Sequence, residues 1–432
     1  MRALLRLKPS NLFSELQYNY SRTIIFITVL FLLITFPIIT EPLSTDDHLF
    51  NPCLLSTGSR SIFEIGMGYN FEFSNNYMPI DDILSDQIII DLDHMYDKLK
   101  DSSLRFASQD MIENHYFLSL FNVSAAIYIT AFGLVTLDIP GSLIGVLANG
   151  NEIDETYSES INTYSKVFLE TGLYAGYRLN NFQFGSKIGL FAPVIYSDTG
   201  AIETTLATDI STGTTTASAN VNIPVYSGFN LTEEKSLTAG ELLGIMNGLN
   251  VDIGATYMEK DKAILGIHLN NIPLKNAHVS NKMNISMSMT ENINNPLSNF
   301  DENEEAMLSE EISDITVINM VEEKEISIPI ELGVFYRMTH LPIIDVVFKG
   351  DLVFDDIIRY NLGIDVLVDF GHFPTVFMGF GYNRVVWELY SGIRQDFRII
   401  EIGVDFGMTS PDIGSLFNME GFSAKMFVAV GF

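Results

Sequence analysis

Along residues 359–432 apolar and polar side chains alternate with period two, one short segment after another. A strand sends successive side chains to opposite faces, so this pattern predicts consecutive β-strands of about ten residues. The last carries Phe422, Ala424, Met426, Val428, Val430 and Phe432 on one face, against Ser423, Lys425, Phe427, Ala429 and Gly431 on the other. Before it, Ile400, Ile402, Val404 and Phe406 oppose Glu401, Gly403, Asp405 and Gly407. Earlier still, Val385, Trp387, Leu389 and Ile393 oppose Glu388, Tyr390, Gly392 and Arg394. A large apolar face opposite glycine, acid and base suits a sheet with lipid on one side and a polar lumen on the other. The predicted fold class is all-β, a transmembrane antiparallel β-barrel.

The same alternation runs through residues 61–73, with Phe63, Ile65, Met67, Tyr69, Phe71 and Phe73 on one side. The period then changes. Ile80, Leu84, Ile88, Leu92, Met95 and Leu99 recur at helical spacing, with Asp81 and Asp82 at the expected N-terminal end. A helical insert is therefore expected within 79–114. The wall's backbone bonds are all inter-strand, so a helix between strands is expected to fold into the lumen or pack at the periplasmic mouth. Weaker helical signals lie at 142–153 and 237–246. Strands are expected at 118–130, at 167–178 and 182–196 joined across Asn180 and Asn181, and at 250–258 and 263–272. The Thr-, Ser- and Ala-rich stretch 197–220 and the acidic stretch 299–325 read as long loops. From residue 326 strands follow closely, bringing the expected total to about 14 in a single barrel over 45–432.

Composition sharpens this reading. The chain has 432 residues, 47% hydrophobic, 12% aromatic and only 18% charged, with 31 Gly and 31 Phe. That joint enrichment fits a crowded lumen face and an aromatic outer face. A formal charge of −30 argues against nucleic acid as a partner. A lone cysteine, Cys53, excludes an intramolecular disulfide and a cysteine-rich metal site. Residues 23–39 form an uncharged apolar run preceded by Arg2, Arg6, Lys8 and Arg22, so 1–44 reads as a signal sequence and leader for the general secretory route.

Little in the chain suggests catalysis. It has no nucleophile elbow, no H-E-x-x-H, no phosphate-cradling glycine loop and no paired cysteines. His268 and Asn270 share a strand face, but no serine can be nominated to complete a hydrolase site. The protein is expected to be no enzyme and to hold no cofactor or metal. The charges assigned to the lumen face are Glu170, Arg178, Lys187, Asp345, Lys349, Asp351, Asp365, Asp369, Glu388, Arg394, Glu401 and Asp405. These are solvated wall in an open lumen, or pairing groups against a packed plug. Phe422, Met426, Val428, Val430 and Phe432 form the candidate assembly signal, through which barrel-assembly machinery would engage the last strand.

Asn51-Pro52 followed by Leu54 and a first strand resembles the region near the mature start of FadL-type outer-membrane proteins. The run Leu137-Asp138-Ile139-Pro140, a helix, then Gly150-Asn151 is similar to diverged relatives of that family. Cys53 stands where the family has a small residue, and the segment before the first strand is short for the family's full N-terminal hatch. The resemblance implies a fourteen-stranded barrel with an internal plug, a lateral opening in the wall, and passive diffusion of hydrophobic molecules such as long-chain fatty acids. A monomer in the outer membrane of a diderm bacterium is expected, in contact with lipid. The rival readings are a general porin and a structural or surface-interaction barrel.

Overall fold

A computed structural model describes residues 4–5, 62–79, 90–149, 156–209, 214–228, 244–259, 262–294, 311–312, 316–339, 343–355, 358–369, 374–383, 386–397 and 400–431. The longer elements, in chain order, are β1 Phe63–Asn75, α1 Leu92–Leu99, β2 Ser103–Leu120, β3 Val123–Pro140, α2 Gly141–Asn149, β4 Thr156–Leu179 and β5 Phe182–Asp209. There follow β6 Thr214–Ser227, β7 Gly248–Glu259, β8 Lys262–Lys275, β9 Ala277–Asn294, β10 Thr316–Ile326, β11 Ile330–Met338 and β12 Ile344–Phe354. The last are β13 Ile358–Val368, β14 Thr375–Asn383, β15 Val386–Asp396, β16 Ile400–Ser410, a 3-10 turn Ile413–Asn418 and β17 Gly421–Gly431.

Fourteen of these strands close a ring of antiparallel neighbours. Its order is β1 to β5, then β7, β8 and β11 to β17, with β17 returning to β1 from Glu64 opposite Gly431 to Ser74 opposite Gly421. Closure leaves the wall without an unpaired edge, as hydrocarbon requires. The strands missing from the ring, β6, β9 and β10, form an outgrowth. Beyond Tyr196, β5 leaves β7 and pairs with β6; β6 pairs with β9, and β9 with β10. Meanwhile β8 pairs directly with β11, from Leu265 opposite Tyr336 to Asn270 opposite Glu331.

The wall's two ends differ. At the end where β1 begins and β17 ends, connections are tight: Phe121 and Asn122 join β2 to β3, and Asn180 and Asn181 join β4 to β5. Phe121 and Asn180 have φ of 58° and 53°, the left-handed conformation of tight turns. The other end carries both helices and the outgrowth. Long connections occur only at this second end, although β12–β13 and β14–β15 are joined briefly there, and that asymmetry matches extracellular and periplasmic ends.

Outward positions form an apolar belt. On β13 the exposed residues are Ile358, Tyr360, Leu362, Ile364 and Val366; on β5 they are Phe182, Phe184, Ile188 and Leu190. Such a surface continued around the ring is a bilayer contact, not a water-facing one. Tyr360, Tyr382, Trp387 and Phe380 stack in sequence toward the outer end, with ring centroids 5.0–5.5 Å apart, as an aromatic girdle does.

Several sequence expectations need correction. The helix expected over 79–114 is described only as Leu92–Leu99, capped by Asp91, whose side chain accepts from the His94 N–H; Asp81 and Asp82 lie outside the described residues. Residues 103–114 belong to β2, a wall strand. The strand expected at 118–130 straddles the turn between β2 and β3. Both helices sit at the extracellular end, not in the lumen or at the periplasmic mouth. Met95 and Leu99 of α1 and Ile144 of α2 pack with Leu104, Phe106 and Ile139, which hold outward positions on β2 and β3. Gly141 and Gly145 allow this close packing: a Cβ on Gly141 would lie 1.9 Å from the Leu99 carbonyl oxygen, and one on Gly145 2.5 Å from the Tyr96 ring. Lys98 ties α1 to the rim through Glu420, 2.8 Å away, which also accepts from Ser410 and Ser415. Residues 197–209 and 316–325, expected in loops, are strands of the outgrowth. The helix expected at 142–153 appears as α2, while the leader beyond Leu4–Leu5, Cys53 and most of 237–246 lie outside the described residues.

Candidate ligand site in the barrel lumen

Inside the ring lies a cavity of about 330 Å³, lined from nearly every side of the wall. Its apolar and aromatic boundary includes Met111, Phe132, Ile328, Val353, Tyr174 and Tyr390. Phe132 and Ile328 also belong to an aromatic and aliphatic cluster with Phe168, Phe191, Tyr196, Tyr226, Ala277, Val279 and Ile326. Phe132, Phe168 and Phe191 point inward from β3, β4 and β5; the aliphatic members come from the base of the β9–β10 hairpin. The base of the outgrowth therefore packs against inward-facing wall residues, and Ile328 carries this apolar cluster to the edge of the cavity. Burial of these large side chains holds the hairpin base in place.

The polar boundary consists of ion pairs made between strands that are adjacent or one apart in the ring. Lys187 lies 3.0 Å from Glu170 and 2.7 Å from Asp252, with its ammonium 5.2 Å from the Tyr128 ring centre. The Tyr128 hydroxyl donates to Glu170 at 2.5 Å. All four residues are buried. Gly189 makes the room: a Cβ there would sit 2.1 Å from a Glu170 oxygen and 2.4 Å from the Tyr128 hydroxyl. Across the lumen, Lys349 pairs with Asp365, which also accepts from Tyr390. Lys425 approaches Glu388 at 3.6 Å, and Ser423 donates to the same carboxylate at 2.5 Å. A third group joins buried His268, from β8, to Asp351 at 3.4 Å and Glu331 at 3.8 Å.

Of the charges assigned to the lumen face, Glu170, Lys187, Lys349, Asp351 and Glu388 line the cavity. Asp365 and Asp405 are buried in the wall beside it, the latter opposite Lys425 in register. Arg394 pairs with Glu401 at 3.2 Å and lies 5.3 Å from the Phe427 ring. Three sit apart, at the periplasmic end. Arg178 donates toward the Asn180 carbonyl at 3.5 Å, Asp345 meets half-exposed Lys262 at 2.7 Å, and exposed Asp369 lies past the end of β13. Phe422, Met426, Val428 and Val430 share the outward face of β17, with the Phe422 and Phe71 rings 5.3 Å apart; Phe432 is outside the described residues.

Sequence reasoning missed Tyr128, Asp252, Glu331 and the partners of Asp355 at the outer rim, where Lys166 lies 2.6 Å away and Tyr164 donates at 2.7 Å. Alternation could have flagged Tyr128 and Asp252 as inward. Their meeting depends on β5 and β7 being neighbours despite the intervening β6, which no local pattern encodes.

These features define a transmembrane β-barrel of the outer-membrane type, with a small lumenal cavity lined by both charged and apolar side chains. No protein-family model matches the chain, and no curated protein matches it. Among solved structures the chain resembles several at low identity. The chain is similar to the Pseudomonas putida toluene transporter TodX at 10% identity and a TM-score of 0.45, covering 91% of this chain and 95% of that one. It is similar to the Ralstonia pickettii toluene transporter TbuX at 11% identity and 0.44, covering 92% and 96%. A Pseudomonas aeruginosa FadL homologue matches at 8% identity and 0.41, covering 88% and 93%. Similarity at this level transfers no residue's role.

Proposed function

We propose that the protein is an outer-membrane channel that admits hydrophobic small molecules to the lumenal cavity and passes them on by passive diffusion. The observation that carries this reading is the cavity itself, about 330 Å³ in volume and bounded in part by Phe132 and Ile328. A dry apolar cavity of roughly 150 Å³ accommodates benzene, so this volume suits one small aromatic or short aliphatic molecule. Its lining favours neutral ligands over fatty-acid carboxylates: Glu113, Glu170, Asp252, Glu331, Asp351 and Glu388 outnumber Lys187, Lys349 and Lys425. Long-chain fatty acids remain the comparison ligand, because the family resemblance implies them.

The test is calorimetric titration of the detergent-refolded barrel, first shown to be heat-modifiable, with a neutral monoaromatic and with palmitate. Saturable micromolar binding of the neutral compound, weakened by Phe132→Asp, supports the reading. No saturable binding by a folded barrel sinks it. The charged floor of the cavity favours a second reading, a narrow pore for small polar solutes. That reading expects open-channel conductance in a planar bilayer and no saturable hydrophobic binding.

A further inference from the structure

We propose that His268, Glu331 and Asp351 form a site for a divalent transition-metal ion of the zinc type in the barrel wall. The three residues come from adjacent strands β8, β11 and β12. One ligand atom from each lies within 4.8 Å of the others. The His268 side chain is 0% exposed and that of Asp351 1%. Neither ring nitrogen of His268 and neither carboxylate oxygen of Asp351 makes a hydrogen bond of accepted geometry. The two face each other at 3.4 Å as an ion pair without hydrogen-bond alignment, and a cation held between them would satisfy both buried groups more fully.

The His268–Asp351 spacing fits the ion, and Glu331 stands farther out. Two donors each about 2.0–2.1 Å from zinc, at the tetrahedral angle, lie roughly 3.4 Å apart. The His268 Nε2 to Asp351 Oδ1 distance is 3.4 Å, and Nε2 to Glu331 Oε1 is 3.8 Å. One imidazole and two carboxylates form a three-ligand protein set of the kind that leaves a fourth position for a water or solute. Glu331 and Asp351 line the cavity, so that position faces the lumen. The backbone is shaped for the meeting. Gly333 sits between His268 and Asp351 in register, and a Cβ there would lie 2.0 Å from Asp351 Oδ1 and 2.3 Å from His268 Nε2. Only a residue without a side chain lets the two groups converge over the middle strand. The nearest cation along β12, Lys349, is directed to Asp365 and does not compete. The occupant on offer without a metal is a proton, an imidazolium held between two carboxylates.

Zinc chloride titrated into the full chain, refolded in detergent and stripped with EDTA, decides between them. Binding of one high-affinity equivalent is expected, together with a higher temperature for loss of the heat-modifiable form that EDTA reverses. His268→Gln and Asp351→Asn should weaken binding at least tenfold, while His278→Gln, on an exposed outgrowth histidine, should not change it. X-ray absorption on the zinc-loaded wild type needs no variant. It should read one imidazole and otherwise oxygen ligands at about 2.0–2.1 Å. Absence of stoichiometric binding by the folded wild type overturns the proposal. So does unchanged affinity in both site variants, or a spectrum with several imidazoles.

Discussion

Lys187 is where a single side chain matters most to the wall. It compensates two buried carboxylates, Glu170 and Asp252. Removing one member of such a group leaves uncompensated charge in a poorly hydrated place. Lys187→Met is therefore expected to cost roughly 3–5 kcal/mol, seen as a lower urea midpoint for the refolded barrel. Lys262→Met breaks a pair of the same length, 2.7 Å to Asp345, but the lysine side chain is 45% exposed at the rim. Its cost should stay below about 1 kcal/mol. Equal effects from the two substitutions would refute the difference in burial. At this scale the sequence was half legible. Alternation placed Glu170 and Lys187 on one side of adjacent strands joined by a tight turn. Asp252 reaches them only because β7 docks on β5, and His268 meets Asp351 only because Gly333 lies between them.

At the level of elements, legibility followed the surroundings of each strand. The strands β11 to β17 have lipid on one face and lumen on the other, so their alternation is clean. β2 carries Ser108, Asp110 and Asn114 at outward positions, which blurs its period and let the helical spacing of Leu92, Met95 and Leu99 seem to extend across it. The outgrowth stands beyond the membrane end of the wall, where neither face needs to be apolar, so its strands resembled loops. The β9–β10 hairpin is dispensable for closure, because β8 already pairs with β11. Replacing 277–328 with a short flexible linker should leave a heat-modifiable barrel and remove Ile328 together with the hairpin base packed around it. Single-channel conductance is expected to rise several-fold. Unchanged conductance in a folded deletion variant would mean that the hairpin does not restrict the lumen.

For the molecule as a whole, the decisive property is which face meets lipid. Ile364 and Gly363 are chain neighbours on β13 with opposite destinations. Ile364 is 45% exposed in the apolar belt. Gly363 faces the lumen, and a Cβ there would find its nearest atoms 3.9 Å and 4.0 Å away. Ile364→Arg should destabilise the barrel in lipid vesicles by about 2–4 kcal/mol, whereas Gly363→Ser should be nearly neutral. The reverse order would invert the assigned faces.

The seam between β1 and β17 has a kinetic consequence. Every other wall contact joins strands closer along the chain, but this one brings Glu64 to Gly431 across almost the whole described length. Contacts of such separation pay the largest loop-closure entropy and form slowly. Before they form, the chain is an open sheet with two hydrogen-bonding margins, each able to capture a strand from another molecule. Refolding yield should therefore fall with protein concentration until that last pairing is made. Once the margins have met, dilution or crowding should no longer matter.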